Sequence, residues 1–476
     1  MVYDGLYGSS STSELSEKLS SELIRQLSKI VGKENLFTDP GDCLPYGYDN
    51  SRLQATPAAV VFAREHDQVA GIVTLCHQHR IPLVTRGKGT GTTGATVPQQ
   101  GGIVLSLERM NRILEIDRDN RLARVEPGVT NKELQTALQE QGFFWPPDPT
   151  SAAVCTIGGN LAYNSAGPRA VKYGTPREST LGLKGVTGRG ETFYTGVNTT
   201  KGVVGYDLTR LIIGSEGTLA IITEARLKLT PLAQTKRTLQ ATYCDIHAAA
   251  KAVSAIMGQP VIPCALEFMD KAALEMVREF SDLALPPSVG ALLMIEVDGA
   301  EHCIADEVTA VAQAASVEGL IDIHTAETKE EVAKLWKTRK ALSPALRNIA
   351  PKKINEDVVV PVSRIPELIE SLENLSKETG VTIVNFGHAG NGNIHVNLLL
   401  DPDDPEQLVA GERCLNGLFE LVLGLGGTLS GEHGIGVVKR QFVAQELDPV
   451  ELKLMRSIKQ QFDPHQILNP GILFPD

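Results

Sequence analysis

Two histidines on either side of a glycine- and asparagine-rich turn carry the side chains best suited to chemistry in this sequence. His388 lies where the run VTIVNF (381–386) ends, and His395 lies where the run IHVNLLL (394–400) begins. Both runs are typical of strands, and the turn between them predicts a hairpin with both imidazoles at its mouth. On one continuous strand, residues seven positions apart would point to opposite faces. Two facing imidazoles are a metal half-site.

An adjacent glutamate and histidine, Glu432 and His433, lie in the glycine-rich segment GGTLSGEHGIG. Burying a carboxylate in such a segment is costly unless the group is paired or bound to a metal. Glu432 is therefore a candidate third ligand beside the two histidines. In an extended strand Glu432 and His433 would point to opposite sides, so a shared site requires Gly431 and Gly434 to bend the backbone.

The segment TRGKGTGTTGA (85–95) contains a GxGxxG pattern, which in dinucleotide-binding domains directly precedes a helix. Here Pro98 and the pair Gly101–Gly102 forbid that helix, so the pattern argues against a classical NAD site. Successive backbone N–H groups in glycine-rich chain can instead form a nest that binds phosphate. Arg86 and Lys88 add positive charge to this loop.

Two further glycine-bearing turns strengthen the case for a cofactor site. They are PPDPTSAAVCTIGGNLAYNSAG (146–167) and GYDLTRLIIGSEGTL (205–219). Each is predicted to lie between strands, as is required where a large cofactor is threaded between backbone segments.

The elements that must position these residues follow from the apolar patterns along the chain. The first 232 residues predict a helix over 13–32, capped by Ser13 and ended by Gly32, and then short strands with glycine-rich turns. From 234 to 380 helices and strands alternate, and from about 415 an apolar helix, a glycine-rich turn and a last helix follow. The predicted strands are 60–63, 81–85, 103–107, 123–128, 182–187, 211–214, 219–229 and 291–297, and further helices are predicted from 67, near 328–347 and over 449–462.

Composition excludes several classes of protein. The chain has 476 residues, of which 42% are hydrophobic and 21% charged, so disorder is not expected. A net charge of −12 opposes nucleic-acid binding. No apolar run approaches a membrane span, and the N-terminus has no secretory pattern. The seven cysteines form no CxxC pair, which argues against cysteine-bound zinc or iron–sulfur clusters and predicts a cytoplasmic protein.

The three turns together resemble the FAD-binding domain of the vanillyl-alcohol oxidase/PCMH superfamily, type 4. The matching pieces are RGKGTG, PPDPTS, TIGGN, KYG and GYDL…GSEGTLAIIT. The resemblance implies an α+β fold with a PCMH-type FAD-binding domain of two subdomains over 1–233 (core about 54–232). It also implies an α+β substrate domain over 234–415 and a C-terminal segment over 416–476 that returns to the flavin. Thr90 stands where covalent relatives carry the flavin-linked histidine, so the implied FAD is non-covalent.

The same resemblance implies the cofactor contacts. The pyrophosphate would be held by Arg86, Gly87, Lys88, Gly89, Thr90 and Gly91. The flavin would be lined by Pro147, Asp148, Thr150, Ser151, Thr156, Gly158, Gly159, Asn160 and Ser165. The adenine or ribose side would be contacted by Glu216, Gly217 and Ile222, and Asn469 lies in the C-terminal return, LNPG. Lys88 and Ala220 replace glycines that are usual in the family.

The histidine and glutamate segments resemble the flavin-linked 2-hydroxy-acid dehydrogenases, a group that includes D-lactate dehydrogenase, the glycolate oxidase D subunit and D-2-hydroxyglutarate dehydrogenase. This resemblance implies that His388, His395 and Glu432 bind one divalent metal (zinc, manganese or iron) and that His433 is the catalytic base. It also aligns Arg339 with the arginine that binds the substrate carboxylate. Ser343, one helical turn later, Asn397, Lys352 and Lys353 complete the predicted substrate-binding set.

The implied chemistry is the oxidation of a 2-hydroxy acid. The carbinol hydrogen is transferred as hydride to flavin N5, and a neutral imidazole removes the hydroxyl proton. A divalent metal lowers the pKa of that hydroxyl, and an arginine holds the carboxylate. D-lactate is the first expected substrate and glycolate the second. D-2-hydroxyglutarate is less favoured, because Asn355 stands where the hydroxyglutarate enzymes carry a lysine.

Other interpretations stay open at this point. A flavin subunit that only passes electrons inside a complex would lack the His/His/Glu–His set, and an oxidase using O2 would carry a covalent flavin without the metal. The electron acceptor is a quinone, a cytochrome, an electron-transfer flavoprotein or an iron–sulfur subunit. The sequence leaves open a homodimer and a location at the periphery of the inner membrane through a partner.

Overall fold

Helices and strands alternate along the chain and group into two units in the computed structural model. The structure describes residues 19–278, 285–349 and 352–475. The first unit comprises the residues up to Ala166, the segment Gly174–Leu232 and the residues from Glu432 onward. The second unit comprises Gly167–Tyr173 and Ala233–Gly431. The division after Leu232 lies beside the predicted boundary at 233. The later division lies after Gly431 and not at the predicted boundary at 415.

The first unit contains two main sheets. In the four-stranded sheet three strands are parallel and the edge strand Leu36–Phe37 is antiparallel. A five-stranded antiparallel sheet follows. In spatial order the strands of the first sheet are Leu36–Phe37, Ala59–Phe62, Ile103–Ser106 and Leu83–Arg86. Those of the second sheet are Ile113–Asp117, Leu122–Val125, Ala220–Lys228, Thr180–Thr187 and Thr192–Tyr194. A separate pair is formed by Thr230–Pro231 and Phe143–Phe144.

The helices Ser21–Val31, His66–His79 and Asn131–Gln139 of the first unit bury apolar residues. The crossover helix His66–His79 turns Val69, Ile72, Val73 and Cys76 inward, as its pattern predicts. The first described helix begins after Ser20, whose hydroxyl accepts a hydrogen bond from the Leu23 N–H; the predicted cap Ser13 lies outside the described residues. The helices are Ser21–Val31, Pro40–Cys43, His66–His79, Asn131–Gln139, Ile157–Tyr163, Leu208–Ile212, Val443–Glu446 and Pro449–Phe462.

The second unit is built on one seven-stranded antiparallel sheet, with helices against it. In spatial order the strands are Leu320–Thr325, Thr235–Tyr243, Ala291–Gly299, Ala265–Asp270, Thr382–His388, Asn393–Leu400 and Lys352–Val359. The helices are Ala170–Tyr173, Ile246–Met257, Lys271–Arg278, Ile304–Ala315, Lys329–Ile349, Ile365–Thr379 and Pro405–Gly424. Buried residues of the helix Lys329–Ile349 and of the central strands form one apolar core.

Several elements differ from the sequence prediction, and the helices Asn131–Gln139 and Ile157–Tyr163 lie where only strands and turns are predicted. The run LIIG (211–214), predicted as a strand, lies at the end of the helix Leu208–Ile212. Asp207 caps that helix by accepting a hydrogen bond from the Arg210 N–H at 3.0 Å, and a four-residue apolar run does not distinguish strand from helix. The apolar helix predicted from about 415 already begins at Pro405, after the capping residue Asp404. No helix in the described part of the chain is long and apolar enough to cross a membrane.

Candidate functional site

The two histidines meet at the mouth of a hairpin in the second unit, as predicted. The strands Thr382–His388 and Asn393–Leu400 pair antiparallel, with Phe386 opposite His395. The imidazole rings of His388 and His395 lie 5.2 Å apart between centroids, at 84° to each other. Gly392 closes the turn with a φ of +74°, and a side chain there would clash with the carbonyl of Val360. Only glycine therefore fits this turn.

Glu432 forms a group of three metal-type ligands with His388 and His395. One ligand atom each of His388, His395 and Glu432 lies within 4.8 Å of the others. The preceding Gly431 is held by Asp357 of the second unit, whose Oδ2 accepts the Gly431 N–H at 2.9 Å. Two imidazoles and a carboxylate at this separation are a donor set that suits a divalent metal such as zinc, so these residues fit the predicted ion.

Glu267 is the residue of this site that sequence reasoning missed. Its side chain is 1% exposed, and it joins two predicted site residues. Oε1 lies 2.5 Å from His388 Nδ1, and Oε2 accepts the Arg339 Nε–H at 2.8 Å. Burial raises the pKa of the Glu267 carboxyl, but the charges of His388 and Arg339 outweigh burial and hold that pKa below its usual value.

The contact with Glu267 also orients the imidazole of His388. Nδ1 faces the carboxylate, and in metal sites an outer carboxylate bonded to one imidazole nitrogen commonly orients the ring so that the other nitrogen binds the metal. The sequence gives no sign of this pairing. Glu267 lies in the buried strand Ala265–Asp270, and its position opposite His388 depends on strand register.

Arg339 is 9% exposed and lies over the ring of Phe386, with the guanidinium carbon 4.8 Å from the ring centroid. Its hydrogen bond to Glu267 uses Nε, and among the described residues the two terminal nitrogens have no hydrogen-bond partner. One turn earlier on the same helix, Trp336 Nε1 donates to Glu296 Oε1 at 2.7 Å. The helix that carries Arg339 is thus attached to the sheet at two points.

The other predicted substrate residues differ in their burial and in the face of the sheet to which they point. Asn397 is fully buried, and its amide nitrogen donates to the carbonyls of Val384 and His395. Lys352 and Lys353 are half-buried neighbours on one strand, so they point to opposite faces of the sheet. Lys353 shares the face of Asp357, which pairs with His395. The side chain of Ser343 lies outside the described part of the helix.

In the first unit the loop after the strand Leu83–Arg86 presents bare backbone. A side chain at Gly87 would clash with Thr156, and one at Gly91 would lie 2.6 Å from the phenol oxygen of Tyr163. Arg86 lies beneath the loop, where Nη1 donates to the carbonyl of Tyr48 at 2.7 Å. Arg86 therefore supports the loop through its guanidinium. The other cation of the loop, Lys88, forms an ion pair with Glu108 at 2.6 Å. Thr90 lies between Gly89 and Gly91.

The second loop leads into the helix Ile157–Tyr163. Thr156 caps this helix by accepting a hydrogen bond from the Gly159 N–H at 3.3 Å. The buried side chain of Asn160 accepts from Asn131, which also donates to the carbonyl of Pro147 at 2.9 Å. The other predicted flavin residues lie along the same loop and helix; they are Asp148, Thr150, Ser151, Gly158 and Ser165. Ser165 donates to the carbonyl of Glu432 at 3.1 Å.

The third loop and the C-terminal segment are tied together by Asn469. Its amide nitrogen donates to the carbonyls of Glu216 (2.7 Å) and Ala95 (3.2 Å), and its oxygen accepts the Thr85 N–H at 3.0 Å. Gly217 and Ile222 lie in the same region, Gly217 with a φ of +71° and Ile222 buried in the following strand. Burial raises the pKa of the Glu216 carboxyl to about 7, although two backbone N–H groups and Lys439 oppose the shift.

These loops fit a phosphate-bearing cofactor. Their closest approaches are made by glycine backbone, and successive N–H groups of glycine-rich backbone can bind a pyrophosphate. The hydroxyl oxygen of Thr85, at the entrance of the first loop, is buried and has no hydrogen-bond partner within the described residues. Buried polar atoms are normally satisfied, so this hydroxyl fits a site where a bound group supplies its partner.

Comparisons with known proteins agree with this arrangement. Residues 57–196 match the family model described as the FAD binding domain. Residues 232–473 match the model described as the C-terminal domain of FAD linked oxidases. The chain belongs to the FAD-linked oxidase family. Its fold is accordingly α+β, with a PCMH-type FAD-binding domain, and FAD is its cofactor.

Relatives cover nearly the whole chain. The glycolate oxidase subunit GlcD of Bacillus subtilis is 38% identical over 96% of this chain and 97% of its own length. D-lactate dehydrogenase of Archaeoglobus fulgidus is 36% identical over 94% of this chain and 98% of its own length. Among solved structures, p-cresol methylhydroxylase matches with a TM-score of 0.78 at 19% identity, over 97% of this chain and 99% of that chain. The protein is thus an FAD-linked oxidoreductase of the glycolate oxidase and D-lactate dehydrogenase type.

Proposed function

We propose that this protein oxidises a D-2-hydroxy acid, D-lactate or glycolate, to the 2-oxo acid and passes the electrons to an acceptor other than NAD. The observation that carries the proposal is the bridge formed by Glu267 between Arg339 and His388. It holds a carboxylate-binding cation beside an imidazole of the candidate metal group. A 2-hydroxy acid presents a carboxylate and a hydroxyl on adjacent carbons, which is the pattern this pair of groups complements.

Arg339 is suited to the substrate carboxylate. With Nε bonded to Glu267, the two terminal nitrogens remain for a planar anion. Glu267 and the ring of Phe386 fix the guanidinium before substrate arrives, so little side-chain entropy is lost on binding. Arg339 therefore binds and orients the acid.

His388, His395 and Glu432 would hold a divalent metal, and His433 would take the proton from the substrate hydroxyl. When bound, the metal lowers the pKa of a ligated hydroxyl, and FAD accepts the hydride. Glu267 keeps Nε2 of His388 directed to the metal. The neighbouring positions of Glu432 and His433 allow one segment to supply both a ligand and a base. A flavin subunit that only passes electrons would have no need of this set.

D-2-hydroxyglutarate is a weaker candidate, because its second carboxylate needs a second cation. Asn355, which pairs with Asn397 across the sheet, brings no charge. The electron acceptor is proposed as a quinone, a cytochrome, an electron-transfer flavoprotein or an iron–sulfur subunit.

Anaerobic flavin reduction tests the proposal. The purified protein is mixed with D- and L-lactate, glycolate and D-2-hydroxyglutarate, and bleaching of the flavin absorbance is followed. We expect fast bleaching with D-lactate or glycolate, slower bleaching with D-2-hydroxyglutarate and none with L-lactate. Flavin that stays oxidised with every D-2-hydroxy acid and with glycolate would refute the proposal.

A further inference from the structure

The carboxylate of Glu216 is enclosed in the first unit and bonded to the backbone that follows His433. Glu216 is 3% exposed. Oε1 accepts the Ile435 N–H at 2.6 Å, and Oε2 accepts the Gly436 N–H at 2.7 Å. Both bonds are short, and with an ionised carboxylate they are charge-assisted, the strong class of hydrogen bond. Two consecutive backbone donors are therefore held by one side chain.

The backbone of Glu216 is unusual for a residue with a side chain. It has a φ of +52°, within a turn whose glycines Gly214 and Gly217 also have positive φ. Glycine adopts this conformation without steric cost, whereas glutamate is strained there. Strain that persists at one residue indicates that its side chain has a use. The hydrogen bonds to residues 435 and 436 are that use.

The segment after His433 fits closely against the residues around it. A side chain at Gly434 would lie 2.7 Å from a ring carbon of Tyr163 and 2.8 Å from the Glu216 carboxylate. Thr93 completes the enclosure, since its carbonyl accepts the Val437 N–H at 2.9 Å and its hydroxyl lies 3.4 Å from the carbonyl of His433. The backbone from His433 to Val437 thus contacts two loops of the first unit.

We propose that Glu216 is a positioning residue, which holds the segment carrying Glu432 and His433 in its active place. This inference rests on the proposed function, because it assumes that His433 takes the substrate proton. Both oxygens of Glu216 are used by backbone donors, so its role does not depend on a contact with the cofactor. Lys439, 1% exposed on the same segment, supplies a positive charge that favours the carboxylate form.

The test compares Glu216→Gln with Glu224→Gln. Glutamine has the same shape as glutamate, but its amide NH2 would face a backbone donor and break one bond. Glu224 lies eight residues later, on the strand Ala220–Lys228, and contacts Arg124 near the surface, so it is the matched control. In Glu216→Gln we expect flavin reduction by D-lactate to slow about 10- to 100-fold, with unchanged FAD content and unchanged apparent affinity for D-lactate. Glu224→Gln should behave as the unmodified protein.

Hydrogen–deuterium exchange gives a second readout that needs no substrate. Amides of residues 433–439 should exchange faster in Glu216→Gln and at the normal rate in Glu224→Gln. If Glu216→Gln does not fold, Glu216→Asp, which is too short to reach both donors, replaces it with the same expectations.

Unchanged exchange, unchanged reduction rates, or a defect that added FAD repairs would each overturn the inference. If the unmodified protein is reduced by no 2-hydroxy acid, the proposed function fails, and exchange alone still decides whether Glu216 holds the segment.

Discussion

Glu267 shows how much of this site depends on a single buried residue. Its two oxygens face different partners, so it fixes the guanidinium of Arg339 and the ring of His388 together. Replacing it by glutamine keeps the shape but removes the charge and one acceptor. Because outer-shell partners of metal-binding histidines typically contribute about 10- to 100-fold, we expect kcat/KM for D-lactate to fall by that factor in Glu267→Gln.

Steady-state kinetics and flavin absorbance check this prediction. FAD content should stay normal, since Glu267 lies in the second unit and the FAD-binding loops lie in the first. The exposed residue Glu301 provides a control with the same substitution. Full activity in Glu267→Gln would mean that the bridge has no role in turnover.

Glu432 and His433 are neighbours in sequence, but we expect them to fail in different ways. His433→Ala should abolish flavin reduction and keep both FAD and metal, because a base acts on the substrate. Glu432→Ala should lose metal as well as activity, because two imidazoles alone hold a hard dication poorly. Elemental analysis of the purified variants and anaerobic reduction measure the two effects. The reverse pattern, with metal lost only in His433→Ala, would exchange the two roles.

Among the elements, the helix Lys329–Ile349 presents Arg339 and is attached to the sheet through Trp336 and Glu296. Trp336→Phe removes the N–H donor but keeps most of the packing. We expect KM for D-lactate to rise about three- to tenfold with little change in kcat, since one net hydrogen bond is lost and the helix carries the binding arginine. Lys337→Ala, at an exposed position of the same helix, is the control. A lower kcat at unchanged KM would contradict this account.

The buried carboxylate of Asp270 makes a contribution to the stability of the folded state that depends on pH. It accepts hydrogen bonds from Ala273 N–H, at the start of the helix Lys271–Arg278, and from Asn385. Burial raises its pKa from 3.8 to about 7, and the charge of Glu373 adds to the shift. The folded state thus binds this proton more tightly than the unfolded state. The stability contribution is complete below pH 3.8 and is lost as pH rises towards 7.

Asp270→Asn tests this coupling, because asparagine does not titrate. Its free energy of unfolding, subtracted from that of the unmodified protein, should give a difference that falls between pH 5 and pH 7 and levels off above about pH 7. Denaturant unfolding at a series of pH values provides the data. Parallel curves for the two proteins would show that Asp270 has no shifted titration.

Several elements could be predicted from the sequence because they depend on local pattern. The hairpin of His388 and His395 has two apolar runs and a glycine-rich turn, and the helix Lys329–Ile349 repeats its apolar residues at helical spacing. The role of Glu267 could not be predicted, since it depends on how strands distant in sequence pair. The prediction of a strand at 211–214 is wrong because the apolar pattern of these four residues fits strand and helix equally, and the Asp207 cap favours the helix.

At the scale of the whole molecule, the way in which the FAD is attached gives a further prediction. The FAD-binding loops carry Thr90 where covalent relatives carry a histidine, so no side chain of the RGKGTG loop is available to attach the flavin. We expect acid precipitation to release all the FAD into a yellow supernatant. Absorbance of the supernatant and of the redissolved pellet measures the split, and flavin that remains with the pellet would contradict the prediction.

In the proposed reaction a D-2-hydroxy acid delivers its C2 hydrogen to the flavin with the help of the His388–His395–Glu432 group. Rapid-mixing measurement of anaerobic flavin reduction by D-lactate tests it most directly, with C2-protonated and C2-deuterated substrate and with protein before and after treatment with a chelator. We predict reduction by D-lactate, slower reduction by the deuterated acid, and loss of reduction on chelation that added divalent metal restores. Reduction that is indifferent to both deuterium and chelation, or no reduction by D-lactate or glycolate, would contradict the account.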